Sequence, residues 1–154
     1  MTNANRVDCF EGAYRFLSNF WFTPVVYDGY IYSTVEHAYQ AAKFDDLEIQ
    51  KQIRQSVSAA DAKKLGRTFP KESMRKDWHD ARLTIMNDLV LQKFLVNASA
   101  RRALLATEDM ELIEGNTWGD TYWGVCNGVG SNKLGIILME ARKQLREWQL
   151  YEKV

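Results

Sequence analysis

Beyond Ser33 the apolar residues of this chain return every three or four positions, the period of an α-helix, whereas just before it they flank a tight turn. That switch confines the fold to a mainly helical domain with a small sheet towards its N-terminal side. Val25–Tyr27 and Tyr30–Tyr32 are strand formers around Asp28-Gly29, a pair that accepts the positive φ angles of a two-residue hairpin turn. The aromatic segment before them, Phe10 to Phe22, reads as an irregular, half-buried edge. Val35, Ala38, Tyr39 and Ala42 then open the first helix, and a second follows Asp46 with Leu47, Ile49 and Ile53. Ser58 to Leu65 reads as a third, started by Ser58 and Asp61 and stopped by Gly66.

Asp77 to Val96 is the longest helical pattern, with Trp78, Ala81, Ile85, Leu89 and Phe94 near one face. Ser99 opens a short helix through Leu104 and Leu105. The closing helix spans about Asn132 to Trp148, striped by Leu134, Ile137, Leu138, Ala141, Leu145 and Trp148. The expected fold class is mainly α (α+β): a helical bundle with a small N-terminal antiparallel β-sheet. At 154 residues, 46% of them hydrophobic, the chain fits a single domain over 1–154 with a sizeable core.

Charge excludes some functions. With 20 basic and 20 acidic residues the chain has no surplus of Lys and Arg for phosphate-backbone binding. No apolar run approaches the roughly 20 residues of a membrane span, and Met1 to Arg6 lacks the apolar core of a signal peptide. Cys9 and Cys126 make no disulfide framework and fit a reducing compartment, so a cytoplasmic protein is expected. His37 and His79 lie in different segments and no Cys/His cluster has ligand spacing, so neither metal nor cofactor is expected.

Three constellations remain for chemistry. In Thr34-Val-Glu-His-Ala-Tyr-Gln-Ala-Ala-Lys-Phe44, Glu36 and Lys43 project from one helical face, about 10 Å apart along the axis, with Tyr39 and Gln40 between. Both could reach one ligand, but Ser33-x-x-Glu36 also fits a capping box in which Glu36 folds back on the helix start. In Trp118-Gly119-Asp120 and Trp123-Gly124, two indoles beside a carboxylate suit a stacked base and a sugar edge, or else a core and a turn. Asn127-Gly-Val-Gly-Ser-Asn132 ahead of a helix offers backbone N–H groups to an anion, or is a plain Gly-rich turn.

Taken in order, several stretches resemble the NADAR family, also called YbiA-like N-glycosidases. They are Phe16-Leu-Ser-Asn-Phe20, Thr34 to Phe44, Ala62-Lys-Lys-Leu-Gly-Arg67, Arg75-Lys-Asp-Trp78, Arg102 to Thr107, Asp120-Thr-Tyr-Trp-Gly124, Gly130-Ser-Asn-Lys-Leu-Gly135 and Leu138-Met-Glu-Ala-Arg142. The resemblance implies a small helical domain that removes a ribose-linked group from a base or amine, and a catalytic rather than capping Glu36. It places Lys43 in the site and gives functional roles to Trp78 and Asp120; Asn19, Arg67, Trp123 and Asn132 match motif positions that line the pocket. Trp118, which precedes Asp120 in this sequence, is added as a base-stacking candidate.

The implied substrates are early riboflavin-pathway ribosylamine phosphates. The alternatives are ADP-ribosylated guanine in nucleic acid, where nucleic acid enters only as modified substrate, and ADP-ribose or NAD bound without turnover. Breaking a C1′–N bond builds positive charge on the sugar and negative charge on the leaving nitrogen. Glu36 is expected to move protons at the ring oxygen and leaving nitrogen, while Lys43 attacks C1′ as a neutral amine and forms a Schiff base. Asp120 would bind ribose hydroxyls or orient water. Arg67 or the backbone at Gly130 to Asn132 would hold phosphate.

Overall fold

The computed structural model describes residues 5–152 and contains two compact units, one of residues 19–93 and one of residues 1–18 with 94–154. The first holds a hairpin and three short helices. Strands β2 (Val25–Tyr27) and β3 (Tyr30–Tyr32) pair antiparallel with Val26 opposite Ile31. Asp28 (φ 49°) and Gly29 (φ 84°) form the turn expected from their sequence. Gln92 holds the free edge of β2: its amide accepts from Val26 N at 2.5 Å and donates to Val26 O at 2.9 Å.

Helix α1 (Val35–Ala42) is buried along its whole length and packs against the hairpin and against helices α2 (Leu47–Arg54) and α3 (Ala59–Gly66). Its cap is Thr34, whose side chain accepts from His37 N, and not Ser33. Asp46 and Ser58 cap α2 and α3 as their sequences suggest. Gly66 differs from expectation: it is the last residue of α3 and lacks the positive φ of a helix-stopping glycine. What demands a glycine there is proximity, since a Cβ would lie 2.2 Å from Gln40 Oε1. Helix α4 (Trp78–Val96) buries Trp78, Met86, Leu89, Val90 and Phe94, while Ala81 and Ile85 are only half-buried.

In the other unit, a 3-10 turn over Gly12–Leu17 replaces part of the irregular edge, and α5 (Ala98–Ala106) is capped by Asn97, two residues ahead of Ser99. Helix α6 (Lys133–Glu152) buries Leu134, Ile137, Leu138, Ala141 and Leu145, but Trp148 is exposed. Two further sheets appear here, each of two parallel strands: β1 (Arg6–Val7) with β4 (Glu111–Leu112), and β5 (Gly115–Asn116) with β6 (Val125–Cys126). Strands of two residues show no alternation, so periodicity could not reveal them. Cys9 and Cys126 are free thiols. Among the described residues, no helix is long and apolar enough to cross a membrane, and no group of three or more His, Cys, Asp or Glu could hold a metal ion.

Candidate active site

Glu36 enters the interior because of how α1 begins. Its backbone N–H donates to Asn19 O at 3.1 Å, and Thr34 serves as the cap, so the Glu36 side chain is not recruited to the helix end. It lies 7% exposed, with Oε1 accepting from Gln40 Nε2 at 2.8 Å, one helical turn along. The Asn19 side chain, also buried, donates to the Met86 sulfur at 3.4 Å.

Lys43 follows the last residue of α1. Its carbonyl accepts from Arg75 N at 2.8 Å, and Phe44 bridges to Met74, so the stretch leading to α4 is tied to the end of α1. That tie puts the Trp78 ring 5.1 Å from the Tyr39 ring, and the Lys43 ammonium 5.6 Å from the centre of the same Tyr39 ring. Trp78 thus walls the tyrosine on which Lys43 rests.

Burial acts on the two ionisable groups in the directions that acid and amine chemistry need. It pushes the Glu36 carboxyl above the ordinary carboxylate range, opposed by the Gln40 N–H and then by Lys63, Lys43 and Arg67. It lowers Lys43 from 10.5 to about 8; Glu36 opposes that shift, and Arg67 and Lys63 reinforce it. Each group feels the other's charge, so Glu36 and Lys43 belong to one electrostatic site with Lys63 of α3 and Arg67, which follows that helix.

The residues of the 116–134 segment lie in the other unit and are built into its backbone. Asp120 Oδ1 accepts from Tyr122 N at 3.1 Å and Trp123 N at 2.9 Å, closing a turn. Asn116 clamps the same turn, accepting from Asp120 N at 3.0 Å and donating to Asp120 O at 2.8 Å. Trp118 is 60% exposed; Trp123 is half-buried, edge-on to Tyr122 at 4.8 Å. Asn132 uses both ends of its amide on backbone, accepting from Glu114 N at 3.0 Å and donating to Leu112 O at 2.9 Å.

The Gly-rich stretch is a second hairpin turn: Asn127 (φ 52°) and Gly128 (φ 77°) lie between Cys126 and Val129, which exchange hydrogen bonds at 2.9 and 3.0 Å. The N–H groups of Ser131, Asn132, Lys133 and Leu134 donate to the carbonyls of Thr121, Gly124, Tyr122 and Trp123. The start of α6 therefore has these donors satisfied internally, and the anion-binding role considered for its backbone is not available at those four groups.

Periodicity and motif reading include Gln40, Lys63 and Gly66 without giving them a role in the site, and leave Asn116 unassigned. The four-residue spacing of Glu36 and Gln40 was the signal for the first; the others become meaningful only through contacts distant in sequence.

A NADAR domain model matches residues 8–146 of the chain. The N-glycosidase YbiA of Escherichia coli is 39% identical over 133 residues, which are 86% of this chain and 82% of that protein. The N-glycosidase Npun_R5314 of Nostoc punctiforme is 40% identical over 119 residues, 75% of each chain. The riboflavin biosynthesis protein VVA0006 of Vibrio vulnificus is 39% identical over 140 residues, 90% of this chain, which spans only 38% of that longer protein. The NMR structure of E. coli YbiA superposes with a TM-score of 0.80 at 34% identity, covering 96% of this chain and 92% of that one. With its helices, its small sheets and the Glu36-to-Lys43 helix in place, the chain belongs to the NADAR domain family.

Proposed function

We propose that this N-glycosidase hydrolyses the C1′–N bond of a phosphorylated ribosylamine, with early intermediates of riboflavin synthesis as its substrates. The observation that carries the reading is the pair on α1, a buried carboxyl biased towards its protonated form and a lysine lowered to about 8. Burial favours the acid form of the carboxyl and the neutral form of the amine, the forms that proton donation and nucleophilic attack require. The names of the Vibrio vulnificus and YbiA relatives support both the substrate class and the bond.

In the proposed sequence the Glu36 proton passes to the leaving nitrogen as the C1′–N bond weakens. The neutral Lys43 amine attacks C1′, the amine or base departs, and the ring oxygen takes up a proton as the imine forms. Water then adds to the imine carbon, Lys43 is released, and Glu36 regains its proton. One water is consumed, and free ribose phosphate and free amine result. Lys63 of α3 and Arg67 just after it, the cations of this region that bear on both groups, would hold the substrate's anionic phosphate.

The direct experiment incubates the pure protein with ribosylamine 5-phosphates and, in parallel, with ADP-ribosylated guanine oligonucleotides, and follows released base by mass spectrometry. Release from the first alone is expected; release from the oligonucleotides alone would replace the substrate class. Borohydride added during turnover should leave a reduced adduct on Lys43. Full activity in Lys43→Ala without any adduct would remove the amine step. Glu36→Gln should lose at least about 10²-fold in rate.

For Asp120 the expected ribose contact is tested separately. Asp120→Asn keeps the oxygen that closes the turn, so lost turnover at unchanged thermal stability would assign the other carboxylate oxygen to substrate.

A further inference from the structure

We infer that Gln40 is a positioning residue that determines which oxygen of the Glu36 carboxyl exchanges the proton, an inference resting on Glu36 as the acid of the proposed reaction. Gln40 Nε2 donates to Glu36 Oε1 at 2.8 Å, and both side chains are buried on the same face of α1. The carbonyl oxygen of the acid and both oxygens of its carboxylate accept hydrogen bonds, so an amide nitrogen at Oε1 serves Glu36 in both protonation states.

The opposite end of the amide packs against Gly66. Gln40 Oε1 is buried without a hydrogen-bond partner, in the space left by the missing side chain of Gly66, where a Cβ would lie 2.2 Å away. Leaving a buried carbonyl oxygen unsatisfied is costly. An amide held this way at a reacting carboxyl is explained by what its nitrogen does there.

Because Oε1 receives the N–H, the transferable proton resides on Oε2. As Oε2–H passes its proton to the leaving nitrogen, the negative charge that develops on Glu36 strengthens the Gln40 bond, since hydrogen bonds to ionised acceptors are shorter and stronger. Gln40 thus favours the transferred state over the ground state, the differential interaction from which rate is gained.

The charged groups that bear on Glu36 are Lys43 at the end of its own helix, Lys63 of α3 and Arg67 just after α3. Its neighbour His37 faces away, bonded to Thr34 Oγ1 at 2.8 Å and to Ser56 O at 3.0 Å. Arg54 of α2 lies over the Tyr30 ring of the hairpin. None of these reproduces a directed N–H at Oε1.

Gln40→Met keeps the length of the side chain and removes the donor. It should lower kcat roughly 10-fold with KM within about twofold, on the lower scale of acid–base effects. The limb of the pH profile that belongs to Glu36 should move to higher pH, because the lost N–H favoured the ionised form. In a Glu36→Gln background the same substitution should change turnover no further. In the unaltered protein, the Gln40 side-chain amide protons should titrate with the Glu36 midpoint by NMR, a measurement independent of how any variant folds.

An amide signal indifferent to Glu36, or an unchanged kcat and pH profile in Gln40→Met, overturns the role of Gln40 while an inactive Glu36→Gln leaves the acid in place. A fully active Glu36→Gln enzyme overturns the acid itself, and this assignment with it.

Discussion

Gly66 and Gln40, on adjacent helices, are so close that a Cβ on the glycine would lie 2.2 Å from the amide oxygen, 3.0 Å from Cδ and 3.2 Å from Cβ of the glutamine. Far less than a methyl group's width is available there. The helix interface between α3 and α1 and the orientation of the Glu36 partner are therefore one packing problem.

Gly66→Ala tests this with opposing effects. Alanine gains about 1 kcal/mol over glycine in helix propensity, and residue 66 is not in a left-handed conformation that would forbid it. Overpacking against Gln40 costs typically about 1–3 kcal/mol. Net destabilisation is expected by urea denaturation, together with reduced kcat. A stabilised, fully active Gly66→Ala protein would show that the amide has room to move.

Lys43 should titrate near 8. Below that value its neutral fraction falls about tenfold per pH unit, and borohydride trapping in a single turnover should fall with it. Because the Glu36 charge raises Lys43, Glu36→Gln should move the midpoint lower; because Arg67 lowers it, Arg67→Ala should move it higher. NMR of the reductively methylated lysine reads both shifts without catalysis.

Glu36 should oppose folding at neutral pH. Its folded pKa is raised by burial above the ordinary carboxylate range, so any stability it contributes is fully present below that range and lost as pH climbs through the folded pKa. Glu36→Gln should accordingly match the parent protein near pH 4 and exceed it in stability near pH 7.5. Equal stability at both values by denaturant titration would contradict the burial effect.

Asn132 should matter for stability before it matters for substrate. Asn132→Ala removes two side-chain bonds to backbone, at Glu114 and Leu112, from a residue held at φ 50°. At roughly 1 kcal/mol per bond and about another 1 for a left-handed alanine, the expected loss is about 2–4 kcal/mol. Thermal denaturation measures it directly.

The helices and the Asp28-Gly29 hairpin were legible because their signals are local: apolar spacing, Asp46 and Ser58 as caps, and a dipeptide suited to positive φ. Legibility failed where one residue satisfies two local rules. Ser33-x-x-Glu36 reads as a capping box, yet Thr34 caps the helix and leaves Glu36 to the interior. Gly66 reads as a stop and acts as a gap. Asn127-Gly128 fits an anion loop or a plain turn, and folds as a hairpin turn.

The sequence alone determined the helical class, the hairpin, and the placement of Glu36 and Lys43 along one helix, because periodicity and turn chemistry are properties of neighbouring residues. Only the tertiary structure decided that the Gln40 amide oxygen packs against Gly66, that burial moves Glu36 and Lys43 towards their neutral forms, and that the first amides of α6 are satisfied by a loop. Those outcomes depend on desolvation and on contacts between residues far apart in the chain, which no local pattern encodes.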